Sequence, residues 1–529
     1  MMKFKSVIKK LRKAVRRSRL FVSLFGPPKV AEKTLQNYFK DLTNFAAAAD
    51  VNGLKLGDEY LWPYLRQRLW VQLYGVGRGK TSKGAMPPEA MQRGRLKDLP
   101  LASRNELKKK YKALEIKNIK RGSYNVDFLF MVVTNASEQV HLPNGKYYHR
   151  VSDPFYEIAK EVGSALKMER LRVKSPHLQR SRDYFHKVQY VFSPVPEVEK
   201  YHLSMDYPVG LLKRLNRRIP YLNYTHPILR RFVDWEMHTR AYYIELLERV
   251  NPRYVFVNGF HYQAPLISAA HHLGIKTIDI QHGIQVGYNP LYNDWEEMPP
   301  EGYQAVNDYF FVWGEKEAAS IEKVFRGSKH APIVTGFPWL HRQLELTPPL
   351  EAEHQEKLSK YKKRILLIMQ NQGEVPDLYK KLIELSPPDH LWIVRHHPKG
   401  NRFTLADFGP APHDNVLLDP YFDKIVLAQL FQHTDIAVSE GSTVAIEADY
   451  AGLYNFVFDD KGYENYTQEV DSGAFFHIKN ASDFYATAKD LDLSVRVSRT
   501  GAYAKTDIKA IFQRLLDEGS EVEQERMAG

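Results

Sequence analysis

The stretch Asp435-Ile436-Ala437-Val438-Ser439-Glu440-Gly441-Ser442-Thr443-Val444-Ala445-Ile446-Glu447-Ala448 limits the fold of this chain more than any other. An apolar, strand-like run ends in small hydroxyl and glycine residues and opens at once into a helical pattern. Such a corner sets free backbone N–H groups beside the positive end of a helix dipole, which suits a phosphate. Two further strand-like runs end in similar corners. Leu391-Trp392-Ile393-Val394 leads into Arg395-His396-His397-Pro398-Lys399-Gly400, and Thr277-Ile278-Asp279-Ile280 into Gln281-His282-Gly283. In open α/β sheets, ligands collect at the carboxyl ends of the strands.

Strand and helix patterns alternate on both sides of these corners. Residues 33–49 and 60–74 read as helices, and alternation begins at Asp127-Phe128-Leu129-Phe130-Met131-Val132-Val133. Val188-Gln189-Tyr190-Val191-Phe192, Tyr254-Val255-Phe256-Val257, Tyr309-Phe310-Phe311-Val312 and Ile333-Val334 continue it, with a long helix over 231–250. After Thr347-Pro348-Pro349 and a charged run to Lys363, a second series starts at Ile365-Leu366-Leu367-Ile368-Met369 and passes through the 391 and 436 strands to Phe456-Val457-Phe458, which reads as the final strand. This order predicts α/β architecture with mostly parallel sheets and right-handed crossovers. At 529 residues the chain exceeds one ordinary core, so two Rossmann-like domains facing a central cleft are expected. The boundaries are a basic arm over 1–25, a first domain over 26–345 with a basic loop over 75–120, and a second domain over 346–529. The last helix, near 508–516, is read as packing back across the boundary.

The chain has no cysteine, which excludes disulfides, thiolate metal sites and a Cys nucleophile and fits a reducing compartment. No run of about 18 apolar residues occurs. The formal charge of +13 is concentrated at the amino terminus, where Lys3, Lys5, Lys9, Lys10, Arg12, Lys13, Arg16, Arg17 and Arg19 surround Phe4, Ile8, Leu11 and Val15 at helical spacing. An apolar stripe on a cationic helix suits an anionic membrane surface, so the expected place is cytoplasmic, peripheral on the inner face of the cell membrane. No base-reading module follows the arm, and nucleic acid is not an expected partner. Gly75-Val76-Gly77-Arg78-Gly79-Lys80-Thr81 imitates a P-loop, but Tyr74 stands where its first glycine belongs.

Residues from about 254 to 460 resemble bacterial capsule and lipopolysaccharide transferases of the GT-B fold, a set that includes bacterial sialyltransferases and CDP-glycerol glycerophosphotransferases. The resemblance rests on the order and strand-end placement of Gln281-His282-Gly283, His397-Pro398 and Ser439 with Ser442-Thr443. It implies an inverting, metal-independent glycosyltransferase that moves a sugar from a nucleotide-sugar to a surface glycan or lipid-linked glycan, with no cofactor. The His-Pro motif favours a CMP-sugar over a UDP-sugar. The acidic pair that supplies the base in the sialyltransferases is missing, which favours His282; an imidazole titrating near pH 6.5 can accept an acceptor hydroxyl proton.

Asp153 and Glu138 are the alternative bases. Arg395, His397, Lys399, Ser439, Ser442 and Thr443 are the candidate donor-phosphate ligands, with His396 able to replace His397, and Glu447 the candidate ribose ligand. No metal-ligand spacing is present, and Asp459-Asp460 reads as a turn. Three other readings stay open: a CDP-linked polyol-phosphate transferase, a nucleotide-sugar epimerase and a non-catalytic export scaffold.

Overall fold

The run Phe128–Val133 (β1) sends alternate side chains to opposite faces of a sheet, and both faces are covered. Leu129 and Met131 enter one core, while Phe128, Phe130 and Val132 enter another. That explains an unbroken apolar sequence where a half-exposed strand would alternate. The computed structural model describes residues 35–77, 124–133, 138–141, 147–170, 189–191, 210–219, 224–259, 263–283, 289–295, 298–345, 349–370, 373–397, 400–410 and 414–528. The arm over 1–25, residues 78–120 of the basic loop, Pro398 and Lys399 lie outside them.

Six more strands complete the first sheet: Ala165–Arg170 (β2), Gln189–Val191 (β3), Tyr254–Asn258 (β4), Lys276–Ile280 (β5), Tyr309–Val312 (β6) and Ala331–Val334 (β7). Their order is β7-β6-β5-β4-β1-β2-β3, and every pairing is parallel. The second sheet contains Lys363–Ile368 (β8), His390–Arg395 (β9), Val416–Leu417 (β10), Ile436–Ser439 (β11), Tyr454–Phe458 (β12) and Phe475–Ile478 (β13). It runs β10-β9-β8-β11-β12-β13, again wholly parallel. Two α/β domains built on parallel sheets are thus what the alternating pattern implied.

Helices Leu35–Ala48 (α1) and Trp62–Gly77 (α2) lie where the apolar spacing predicted them, and α2 takes in the first three residues of the supposed basic loop. The strand at Phe456 is not the last. Asp459-Asp460 opens the short helix Asp459–Asn465, and β13 follows at the sheet edge. A long helix, Ile508–Ala528 (α7), returns to the first domain, where Phe512 meets Phe128 at 5.0 Å and Phe256 at 5.5 Å between ring centroids. The range 346–529 therefore includes a helix packed on the first sheet beside Asp153–Val162 (α3). No helix among the described residues is long and apolar enough to cross a membrane.

Candidate active site

The first sheet contributes a cluster of polar side chains at the carboxyl ends of β4 and β5. Asn258, the last residue of β4, donates from Nδ2 to Glu138 Oε2 at 2.7 Å. Glu138 precedes a short antiparallel pair, Gln139–His141 with Tyr147–His149, and its backbone carbonyl accepts from the Arg150 N–H at 2.9 Å. That pairing brings the fully buried His149 to Glu138, with Nε2 3.0 Å from Oε2, while Nδ1 lies 2.9 Å from Ser152 Oγ. Burial alone would raise the Glu138 pKa. The His149 hydrogen bond and the charges of His149, His282 and Arg150 outweigh it and hold the carboxyl down at about 2.

His282, two residues past β5, is partly exposed, but its Nδ1 is buried. Burial lowers its pKa, Glu138 pulls it back up, and His149 and Arg150 lower it further; the net result is below 6.5. The ring is therefore neutral at pH 7 and stands near a carboxylate that is ionised. Asp153, at the start of α3, pairs with the buried Lys167 and accepts the His149 backbone N–H at 2.8 Å. Both of its oxygens are thereby engaged in holding the turn.

The facing edge is formed by β8, β9 and β11. Ile368 lies opposite Arg395 on one side and Ser439 on the other, so Gln370, two residues on, shares their side of the sheet. Arg395 Nη1, Gln370 Nε2 and Ser439 Oγ are all buried and have no hydrogen-bond partner among the described residues. Burial pushes the Arg395 guanidinium down to about 10 against the pull of Asp423. His396 is committed elsewhere, with Nδ1 2.8 Å from Asp423 Oδ2 and Nε2 accepting from the Phe403 N–H at 3.1 Å. His397 is the partly exposed member of the pair.

After β11 the chain turns at Gly441, whose φ of +129° disfavours a side chain. Ser442 Oγ accepts from the Val444 N–H at 3.3 Å, and Tyr466 Oη donates to the Ser442 carbonyl at 2.5 Å, which braces the corner. Helix Val444–Tyr450 (α6) follows and carries Glu447, only 2% exposed. Burial raises the Glu447 pKa, opposed by Arg150, whose Nη1 lies 3.3 Å from Glu447 Oε1. This contact joins the carboxyl edges of the two sheets. Two parallel-sheet domains meeting in this way form a GT-B-like architecture.

No protein-family model matches the chain, and no curated protein does. Solved structures do resemble it. The UDP-GlcNAc 2-epimerase of Neisseria meningitidis bound to UDP-GlcNAc is 13% identical over 74% of this chain and 100% of that one, with a TM-score of 0.45. The S. aureus MnaA complex with UDP gives 12% identity over 73% and 94%, with a TM-score of 0.45. The calicheamicin glycosyltransferase CalG4 gives 12% over 77% and 98%, with a TM-score of 0.40. At such identity, activity has to be argued from this chain's own residues.

Of the residues singled out from sequence, His282 and Glu138 come together on one edge, and Arg395, Ser439, Ser442, Thr443 and Glu447 lie along the other. Asp153 stands behind His149, and Lys399 lies outside the described residues. Sequence reasoning passed over His149, Arg150, Asn258 and Gln370. Asn258 and Gln370 had a usable signal, since each is a polar residue closing an apolar strand run. Among the described residues no three His, Asp or Glu side chains gather in a way that could hold a metal ion.

Proposed function

We propose that this chain is an inverting, metal-independent glycosyltransferase that moves a sugar from a nucleotide-sugar to a bacterial surface polysaccharide, capsule or lipopolysaccharide. The observation that carries the reading is the row of buried donors without a partner among the described residues, Arg395 Nη1, Gln370 Nε2 and Ser439 Oγ, at the ends of three adjacent parallel strands. Buried donors without partners cost stability, and an anionic ligand oxygen would satisfy them. A donor phosphate suits this place, with Ser442, Thr443 and His397 as further ligands and Glu447 for the ribose; Lys399, the remaining candidate phosphate ligand, lies outside the described residues. A CMP-sugar is favoured over a UDP-sugar.

His282 is the base. It takes the proton of the acceptor hydroxyl as that oxygen attacks the anomeric carbon, and the bond from that carbon to the phosphate oxygen breaks with its electron pair leaving on the nucleotide. Glu138, already ionised, stabilises the imidazolium that forms. A carboxyl held at about 2 is itself a feeble base at neutral pH, and Asp153 is occupied by Lys167. The basic arm over 1–25 keeps the enzyme at the anionic inner face of the membrane, near a lipid-linked acceptor.

The first test is thermal stabilisation by CMP, CDP, UDP and GDP, since a ligand that binds only the folded state raises its midpoint. CMP selectivity supports the proposed donor, and CDP selectivity points to polyol-phosphate transfer, whose product contains phosphorus. With the chosen nucleotide-sugar, His282→Ala should abolish transfer to acceptor while leaving nucleotide binding intact. Conversion of the donor sugar without any acceptor would replace the reading with an epimerase. No shift with any of the four nucleotides would sink the nucleotide site altogether.

A further inference from the structure

The residue before His282 has had no part in this chemistry. Gln281 is fully buried, and its backbone N–H extends the parallel ladder by donating to the Phe311 carbonyl at 3.0 Å. Its side-chain amide spans the turn. Oε1 accepts from the Trp313 backbone N–H at 2.7 Å, and Nε2 donates to the Gly283 carbonyl at 3.0 Å. The orientation of the amide is not arbitrary, because a backbone N–H can only donate and a carbonyl can only accept. Behind it, the carboxyl of Glu317 on Glu315–Val324 (α5), a residue only 6% exposed, lies near the same amide. One side chain thus ties the residue after His282 to the end of the neighbouring strand.

We propose that Gln281 is the positioning residue for His282, an amide clamp that fixes where the imidazole stands. The proposal deepens the reading of His282 as base and rests on it for its catalytic consequence, although the clamp itself is a matter of geometry. Without the clamp, the turn keeps its backbone pairing at Gln281 but loses its hold on Gly283. The imidazole then moves relative to Glu138, His149 and Arg150, the charged and titratable groups that act on it. A displacement of about 1 Å in a catalytic group costs about a hundredfold in rate.

The test uses the full chain and three variants: Q281M, which keeps the volume without the hydrogen bonds, E317Q, which removes the carboxyl charge near the Gln281 amide and leaves the two clamp bonds intact, and H282A. The His282 ring is titrated by NMR, its signal assigned by its loss in H282A, and kcat and KM are measured separately. Q281M should bring the His282 titration back toward that of a free imidazole and lower kcat about a hundredfold, with KM for the donor nearly unchanged. E317Q should stay close to the parent in both. If Q281M lowers only the thermal midpoint and leaves the His282 titration in place, Gln281 is structural and the proposal falls. If the titration moves but H282A still turns over, the clamp stands and the base assignment falls.

Discussion

His282 and Glu138 form the smallest unit whose behaviour can be worked out in sign. The imidazole pKa in the folded chain lies below its ordinary value of about 6.5, with burial the main cause and Glu138 the restoring influence. A depressed folded pKa means that this group's contribution is fully present above about pH 6.5 and is lost as pH falls through the folded pKa, since the unfolded chain takes up the proton first. Transfer activity should fall over the same acid limb, because only the neutral ring accepts a proton. Glu138→Gln removes the charge that holds the imidazole up, so the acid limb of kcat/KM against pH should move to lower pH. The rate above it should drop by about ten- to a hundredfold as the imidazolium loses its counter-charge. An acid limb that stays put would mean that Glu138 does not act on the base. The sequence pointed to His282 because a His-Gly pair closes an apolar run. It could not reveal that positions 138, 149, 150 and 258 converge there, because strand order and the hairpin that delivers His149 are non-local and leave no periodic trace.

Among the elements, those buried on both faces were the most legible. Phe128–Val133 and the Leu391–Val394 part of His390–Arg395 are apolar throughout because both faces of their sheets are covered, and that pattern survives in sequence. Phe475–Ile478 was missed because four residues at a sheet edge, with His477 partly exposed, give too short a run. The returning helix α7 was read as crossing the boundary, and the aromatic residues explain why it must. Phe512 is fully buried among Phe128, Phe256 and Phe311, with centroids at 5.0, 5.5 and 6.0 Å. Phe512→Ala should cost about 3–5 kcal/mol in denaturant unfolding, the usual range for an aromatic ring removed from a packed core. A loss below about 1 kcal/mol would mean that the face of β1, β4 and β6 is covered by something other than α7. Gly314 and Gly336 mark the route to that helix, since a Cβ at either would stand 2.5 and 2.1 Å from the backbone oxygens of Ala502 and Ala504.

For the whole molecule, the question is whether two parallel-sheet domains act as one body. Domains of one chain are expected to move against each other unless the interface between them is large and apolar. Here Tyr148, Trp313, Phe337 and Trp339 of the first domain share a buried cluster with Ile446, Val457, Tyr466 and Phe475 of the second, and the returning segment adds Ala502 and Tyr503. Among the described residues, Arg150 with Glu447 and Lys316 with Glu469 form ion pairs across the same seam. A shared apolar cluster couples the unfolding of the parts that share it, so scanning calorimetry of the full chain should give one cooperative transition. Deleting residues 508–529 leaves the shared cluster in place but strips the cover from the aromatic face of the first sheet. The first domain should then melt early and the second later, as two resolved transitions. A nucleotide bound at β8, β9 and β11 should raise the single transition of the full chain but only the later one of the truncated chain, because stabilisation by mass action reaches whatever unfolds together with the site. If the full chain already gives two transitions, and nucleotide moves only one of them, the seam does not unite the domains and the facing edges are free to part.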